Sequence, residues 1–315
     1  MTIVVVGAGI SGLAAAYDLQ VGGADVVVLE KSGRVGGALR TSPIAGVRVE
    51  EGADAFLVRI PWAAWLAEKA GLDLVHPATG SALLYAGGRL RPLPAGTLLG
   101  VPSSLRSMRG VVSPLGLARA SLDRVLPRSR VGDDPSVGAL VRARLGPQVV
   151  DRLVDPLLGG VYAGSADGLS VAMTVPGLSH ARRSLLATAA AKRPAPSDAP
   201  VFAAPVGGME ALPCAVAAGL DVRTATTVTA LERTSRGWSL LLGAAGREDR
   251  LEADAVVLAV PAAAAARLLS GQLPDALLPS TSYASVGIVT LAYPVGTQTP
   301  ERSGVLVAPS AGTVA

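Results

Sequence analysis

The first thirty residues spell a pattern that few folds can accommodate. Residues 2–6, TIVVV, are a run of branched apolar side chains of the kind found in strands buried on both faces. Gly7-Ala8-Gly9-Ile10-Ser11-Gly12 follows and fits G-x-G-x-x-G. Residues 10–21 then place Ile10, Leu13, Ala14, Tyr17 and Val21 on one helical face, and Gly22-Gly23 ends the helix. Residues 25–30 form a second apolar strand closed by Glu30. This is a βαβ unit of the usual size. In such a unit the first glycine permits the turn out of the strand. The second lets backbone N–H groups approach a pyrophosphate, and the third lets helix and strand pack closely. The pyrophosphate lies at the positive end of the helix. A glycine-rich turn without function can have the same spelling. Here, however, the motif leaves a strand and opens a helix, and Glu30 stands where an acid accepts from ribose hydroxyls. An acid at that place favours a free 2′-hydroxyl and disfavours NADPH. Arg34-Val35-Gly36-Gly37 comes next, with an arginine able to meet the second phosphate and glycines that let the chain pass the ligand.

The chain has 315 residues, long enough for two intertwined domains; half are apolar, 17% are charged and 3% are aromatic. That excludes a disordered chain and leaves Val, Leu and Ala to fill the core. No uninterrupted apolar run reaches 18 residues, so no transmembrane helix is expected, and the N-terminus lacks the build of a signal peptide. Cys214 is the one cysteine and has no internal partner, which suggests a cytoplasmic protein. The formal net charge is +4, carried almost wholly by scattered arginines that are not interleaved with aromatics. This does not indicate nucleic acid, whereas an anionic small substrate suits it.

Further along, residues 47–51 read as a strand and 61–70 as a helix with Pro61 at its first position. Residues 86–130 are rich in Gly, Pro, Ser and Arg and read as irregular with short helices. Asp134-Pro135 is expected to cap a helix to Leu145, and a second helix runs from Pro147 toward Asp155. Gly159, Gly160 and Gly164 mark a tight bend, and residues 189–200 a Pro/Ala-rich loop. Residues 211–218 read as a helix, 226–231 and 239–242 as a hairpin, 255–260 as a buried strand, 261–269 as a helix and 285–292 as a strand.

Glu30 to Gly37, E-x-x-x-R-x-G-G, resembles the flavin amine oxidase and protoporphyrinogen oxidase superfamily. Glu51-Gly52-Ala53-Asp54-Ala55-Phe56-Leu57 is similar to the E-x-G-x-x-x-F stretch near the flavin in bacterial porphyrinogen oxidases. LVDPLLGGVYAGSADGLS, residues 153–170, is very similar to the P-L-L-x-G-[VI]-Y-A-G-x-x-x-x-L-S segment of that family. Val206-Gly207-Gly208-Met209 with Leu212 resembles its G-G-[ML]-x-x-L turn, and DAVVLAVP, residues 254–261, the strand closing its cofactor sheet. The resemblance extends to about Val307.

The resemblance implies an α/β fold: a Rossmann-like FAD/NAD(P)-binding domain with an interleaved α+β substrate domain. The expected layout is cofactor domain in 1–80 and 201–268, and substrate domain in 81–200 and 269–315. It implies FAD held by Gly7, Ala8, Gly9, Ile10, Ser11, Gly12, Glu30, Lys31, Arg34, Gly36, Gly37, Gly52, Ala53, Asp54 and Ala55, with the Val228 backbone at adenine. It also implies oxidation of a porphyrinogen with molecular oxygen as acceptor. Hydride leaves a meso carbon in each of three rounds, six electrons in all, and hydrogen peroxide is released. The cofactor carries that chemistry, so neither a catalytic triad nor a metal cluster is expected. Coproporphyrinogen III and protoporphyrinogen IX are the alternative substrates. Plant and animal protoporphyrinogen oxidases place a substrate-binding arginine near Ala82, which favours coproporphyrinogen. Its four propionates call for arginines. Arg59, Arg89, Arg91 and Arg182 are the candidates, with Gly160 and Tyr162 near the ring, although any of these arginines could equally be a solvated surface residue. His76 and His180 are expected to be non-catalytic, Cys214 a small core residue, and Trp62 and Trp65 core or rim. The apolar and basic stretch 93–127 resembles a region that touches membranes in some relatives; a substrate-domain surface is expected here rather than stable anchoring, with peripheral membrane contact at most. Other haem-pathway enzymes are the partners such an activity would have. Family members continue with a glycine-rich stretch and helix against the flavin. The ADP half of the site is therefore expected here and the flavin half to be incomplete. A carotenoid-desaturase-like enzyme and a non-catalytic fragment stand as the other readings.

Overall fold

The computed structural model describes residues 1–78, 82–127, 132, 134–179, 183–193, 200–244, 247–278, 281, 283–298 and 302–307. Two compact units divide the chain. One comprises 1–77, 200–283 and 287–297, the other 78–199, 284–286 and 298–315. The stretch 269–297 falls mostly in the first.

At the centre of the first unit lies a four-stranded parallel sheet, in the order Asp221–Arg223, Asp25–Leu29, Thr2–Val6, Ala255–Leu258. The apolar runs form its middle because they are buried on both faces, and the two-residue period sorts their side chains. Val5, Val26 and Val28 pack on one side with Leu13 and Ala16 of the helix Ile10–Val21, and with Leu212 and Val216 of the helix Ala211–Ala217. Val4, Val6, Val27 and Leu29 pack on the other with Leu231, Leu240 and Leu268. Each such side chain contributes about 1.5–3 kcal/mol by leaving water. The second face is covered by the antiparallel strands Thr227–Thr234, Gly237–Ala244 and Arg247–Ala253 and by the helix Ala262–Leu269. The expected hairpin is thus longer than its pattern and gains a third strand. REDRLEA is too polar to announce a strand; pairing from Trp238↔Ala253 to Ala244↔Arg247 imposes it.

In the second unit, helices surround one core that includes Leu84, Met108, Leu140, Leu153, Leu158 and Leu185. Strands Gly304–Val307, Ala82–Ala86 and Arg89–Pro92 form its three-stranded sheet. The 86–130 stretch is therefore not wholly irregular. Gly87 and Gly88 both have positive φ and make the two-residue turn that joins the last two strands. In the same unit a buried ion pair ties three segments. Arg144 Nε donates to Asp123 Oδ1 at 2.7 Å, and its Nη1 donates to the Pro127 carbonyl. Asp123 also accepts from the Ser184 hydroxyl and from the Leu185 and Leu186 N–H groups, and so caps the helix Leu185–Lys192.

Four other expectations are corrected. Gly159 and Gly160 lie inside the helix Asp155–Tyr162, because the helical run begun at Pro147 simply continues; a turn added to an existing helix has no nucleation cost. It ends at Ala163, which is left-handed at φ 52°. The helix Val137–Leu145 is capped by Ser136, whose hydroxyl accepts from the Ala139 N–H, while Asp134 instead binds the Ser170 hydroxyl and the Ala172 N–H. Residues 189–192 are helical, and 194–199 lie outside the described residues. Residues 285–292 form no strand. Their apolar side chains are exposed, and none of the described residues pairs with them.

Candidate functional site

The turn after the first strand builds a cradle in which each glycine has a separate physical reason. Gly7 has φ 107°, and a Cβ there would lie 2.6 Å from the Ala259 carbonyl oxygen. At Gly12 a Cβ would lie 1.9 Å from the Gly7 oxygen. At Gly9 it would point into open space. Gly9 therefore does not serve packing; it leaves room for something that approaches the backbone. The helix beginning at Ile10 has no side-chain cap and no acid in its first turn. Its free N–H groups and positive end face that room, an arrangement suited to a phosphate.

Glu30 closes the second strand beside this turn and is 9% exposed. Its Oε2 accepts from the Ala8 N–H at 2.9 Å, and its Oε1 from the Ser32 N–H and hydroxyl at 2.8 and 2.7 Å. Burial pushes its pKa up. The Ser32 and Ala8 N–H bonds, the Ser32 hydroxyl and the Lys31 charge outweigh that, and the net shift is downward. The carboxylate is thus ionised, oriented and still has lone pairs to accept from hydroxyls. The N–H of Ala8, a residue expected among those holding FAD, is taken by Glu30.

The Arg34–Gly37 segment returns to the cradle. Gly36 pairs with Gly9 and donates its N–H to the Ala8 carbonyl at 2.8 Å, and a Cβ at Gly37 would lie 3.2 Å from Gly9 Cα. Arg34 donates to the carbonyls of Val35, Leu39 and Gly37 and lies 3.9 Å from Glu210. It clamps the glycine loop. Gly52 backs onto the Ala38 carbonyl, where a Cβ would approach to 2.6 Å, while Ala53 and Asp54 are exposed and Ala55 half-buried. Val228 sits beside a bulge in its strand; a Cβ at Gly243 would lie 2.7 Å from Thr229 Cγ2.

Sequence reasoning missed Ser32 and, separately, a polar knot elsewhere in the same unit. The hairpin Thr41–Ile44/Val47–Glu50 is fastened to the 207–210 turn: Glu50 accepts from Thr41 and from the Met209 N–H, and Glu210 accepts from the Thr41 N–H. No spacing rule links positions 41, 50 and 210. The one signal for Ser32 is its place two residues beyond the strand-closing acid, a faint one because its role depends on where the strand delivers the carboxylate.

The substrate candidates are scattered. Arg59 is exposed in the first unit. In the second, Arg89 is exposed, Tyr162 is 43% exposed, and a Cβ on Gly160 would lie 3.1 Å from Leu306. Arg91 is partly buried, and its Nε has no acceptor among the described residues. Arg182 and His180 lie outside the described residues. His76 Nδ1 pairs with the Phe202 carbonyl, Trp65 meets Tyr17 edge to face, and Cys214 is exposed and not a core residue. The described residues contain no cluster of three metal-ligating side chains and no helix long and apolar enough to cross a membrane.

Residues 10–310 match the family model of flavin-containing amine oxidoreductases. The chain is 42% identical over 317 residues to the coproporphyrinogen III oxidase of Mycobacterium tuberculosis, covering 96% of this chain and 69% of that protein. Human protoporphyrinogen oxidase is 33% identical over 334 residues, covering 93% and 67%. A crystal structure from Exiguobacterium sp. 255-15, described provisionally as a protoporphyrinogen oxidase, superposes with a TM-score of 0.71 at 28% identity, over 85% of this chain and 61% of that one. A cradle open at Gly9, an ionised acid at the strand end and this match over nearly the whole chain agree, and the chain belongs to the family of flavin-containing amine oxidoreductases.

Proposed function

We propose that this chain is an FAD-dependent oxidase that converts coproporphyrinogen III to coproporphyrin III with oxygen as acceptor, in porphyrin and haem synthesis. The observation that carries the reading is the 42% identity to a coproporphyrinogen III oxidase across 96% of the chain, beside a nucleotide cradle that suits FAD. Glu30 would accept from the ribose hydroxyls, and a 2′-phosphate there would meet an ionised carboxylate. The N–H groups of the helix from Ile10 would hold the pyrophosphate, with Gly9 leaving it room. Arg34, Gly36 and Gly37 would keep the loop in place beside it, and Gly52, Ala53, Asp54, Ala55 and the Val228 backbone would line the rest. Lys31 is exposed and would add positive charge to the rim.

Bound there, FAD supplies two-electron acceptance and returns the electrons to oxygen. The chain's own part is to position the macrocycle and exclude water. Over three rounds the porphyrinogen loses six electrons and six protons, and three oxygen molecules leave as three of hydrogen peroxide. The first unit is the cofactor part in this reading and the second the main substrate part. A cytoplasmic protein with peripheral membrane contact at most fits the single cysteine and the absence of a spanning helix among the described residues.

The alternative substrate is protoporphyrinogen IX, favoured by the match to the human enzyme but at lower identity. Steady-state assays of the FAD-loaded chain on both porphyrinogens, following porphyrin fluorescence and peroxide together, test the choice. Faster turnover of coproporphyrinogen III, with three peroxides per porphyrin, is expected. Turnover of protoporphyrinogen IX alone would reverse the assignment.

A further inference from the structure

We infer that the second unit carries a carboxylate-binding pocket, formed by Arg91, Arg106, Arg109 and Arg193, that holds the propionates of the tetracarboxylic macrocycle. The inference rests on the proposed substrate for the identity of its ligand, and on the pocket itself for its charge and shape. The cavity has a volume of about 830 Å³. Pockets that take up small ligands run to about 300–1,000 Å³. Four guanidinium groups line it, and none of the described residues lining it is acidic. None of the four makes an ion pair with a carboxylate among the described residues. Arg91 Nε is buried there without an acceptor among the described residues. A buried donor with no partner is costly, and an arginine fork is satisfied best by a planar carboxylate or a phosphate.

The remaining wall selects between ligands. Leu90 and Leu93 line the same cavity as the arginines. A small free anion would leave this apolar surface uncovered, whereas a flat apolar ring with carboxylates at its edge meets both surfaces. Glycines leave room for the guanidinium groups: Gly96 has φ 77°, and a Cβ there would lie 2.8 Å from Arg193 Nη1. A Cβ at Gly110 would lie 3.5 Å from Arg91 Nη1. The Ser103 hydroxyl and N–H both donate to the Gly96 carbonyl and pin the turn.

The test is a fluorescence titration of the purified, FAD-loaded chain with coproporphyrin III, which carries the four propionates and cannot be oxidised further. Saturable binding that weakens with added salt is expected. Arg91→Met and the double variant Arg106→Gln/Arg109→Gln should each weaken it about tenfold, with thermal stability of the double variant and flavin content unchanged. Arg267→Gln, an exposed arginine of the first unit, should bind as the parent does. Coproporphyrin tetramethyl ester, which has lost the four charges, should not compete. Equal binding by the arginine variants, or equal competition by the ester, would overturn the inference. So would phosphatidylglycerol vesicles whose binding depends on these arginines while coproporphyrin binding does not. Failure of the oxidase reading shows separately, as a flavin that stays oxidised when coproporphyrinogen III is added without oxygen.

Discussion

A Cβ added at Gly12 would lie 1.9 Å from the Gly7 carbonyl oxygen and 3.1 Å from Ala259 Cβ, whereas at Gly9 it would meet nothing within 4 Å. The two glycines of one motif thus have opposite requirements, and substitution separates them. Gly12→Ala should destabilise the fold by about 3 kcal/mol, since the helix must move off the strand. Gly9→Ala should leave thermal unfolding of the flavin-free chain within about 0.5 kcal/mol of the parent. It should nevertheless raise the dissociation constant for FAD at least tenfold, read by flavin fluorescence. Glu30 adds a pH signature. Its pKa is lowered below the ordinary 4.5, so its stabilising effect is present above that value and is lost as pH falls through the depressed folded value. In Glu30→Gln the amide must face one N–H donor with another, costing about 1–3 kcal/mol at neutral pH. The difference in stability between parent and variant should shrink when urea unfolding is repeated progressively below pH 4.5. Much of this site is legible at the residue scale because Gly7, Gly9, Gly12 and Glu30 lie within one βαβ unit. Ser32 is less visible, since its role depends on where the strand delivers the carboxylate.

At the scale of elements, the Asp123–Arg144 pair shows how the second unit holds its helices in place. Asp123 is fully buried, with both oxygens engaged by Arg144, by the Ser184 hydroxyl and by two N–H groups of the helix Leu185–Lys192. Asp123→Ala leaves Arg144 charged and buried without its carboxylate. A loss of about 3–5 kcal/mol follows, visible as a fall in Tm. Replacing Ser136, the cap of Val137–Leu145, by alanine should cost only about 1 kcal/mol, because a single N–H bond is lost. Elements whose apolar pattern matches their burial, such as Thr2–Val6 and Asp25–Leu29, are readable from the sequence alone. Those fixed by a partner are not. Arg247–Ala253 is a strand because Gly237–Ala244 pairs with it, and residues 285–292 have a strand's apolar content without a described strand to pair with. The Gly159-Gly160 pair reads as a bend in isolation and is helical because the preceding turns already are.

At the scale of the whole molecule, the first unit is assembled from segments far apart in sequence, so that residues 221–223 and 255–258 complete the sheet begun at Thr2. Such an assembly folds as one body only after long loops close, and ligand binding should stabilise it as a body. FAD at 100 times its dissociation constant should raise stability by about 2.7 kcal/mol, seen as a concentration-dependent Tm. The chain spans 69% of its mycobacterial relative, and the account's central claim concerns the oxidation that relative's name describes. The most direct measurement is an anaerobic titration of the FAD-loaded chain with coproporphyrinogen III, recorded by absorbance. Loss of the oxidised flavin band is the predicted result, with at most one porphyrin formed for every three flavins reduced, because each flavin takes two of the six electrons. A flavin that remains oxidised with coproporphyrinogen III, yet is bleached by protoporphyrinogen IX or by an alkyl amine, would contradict the account.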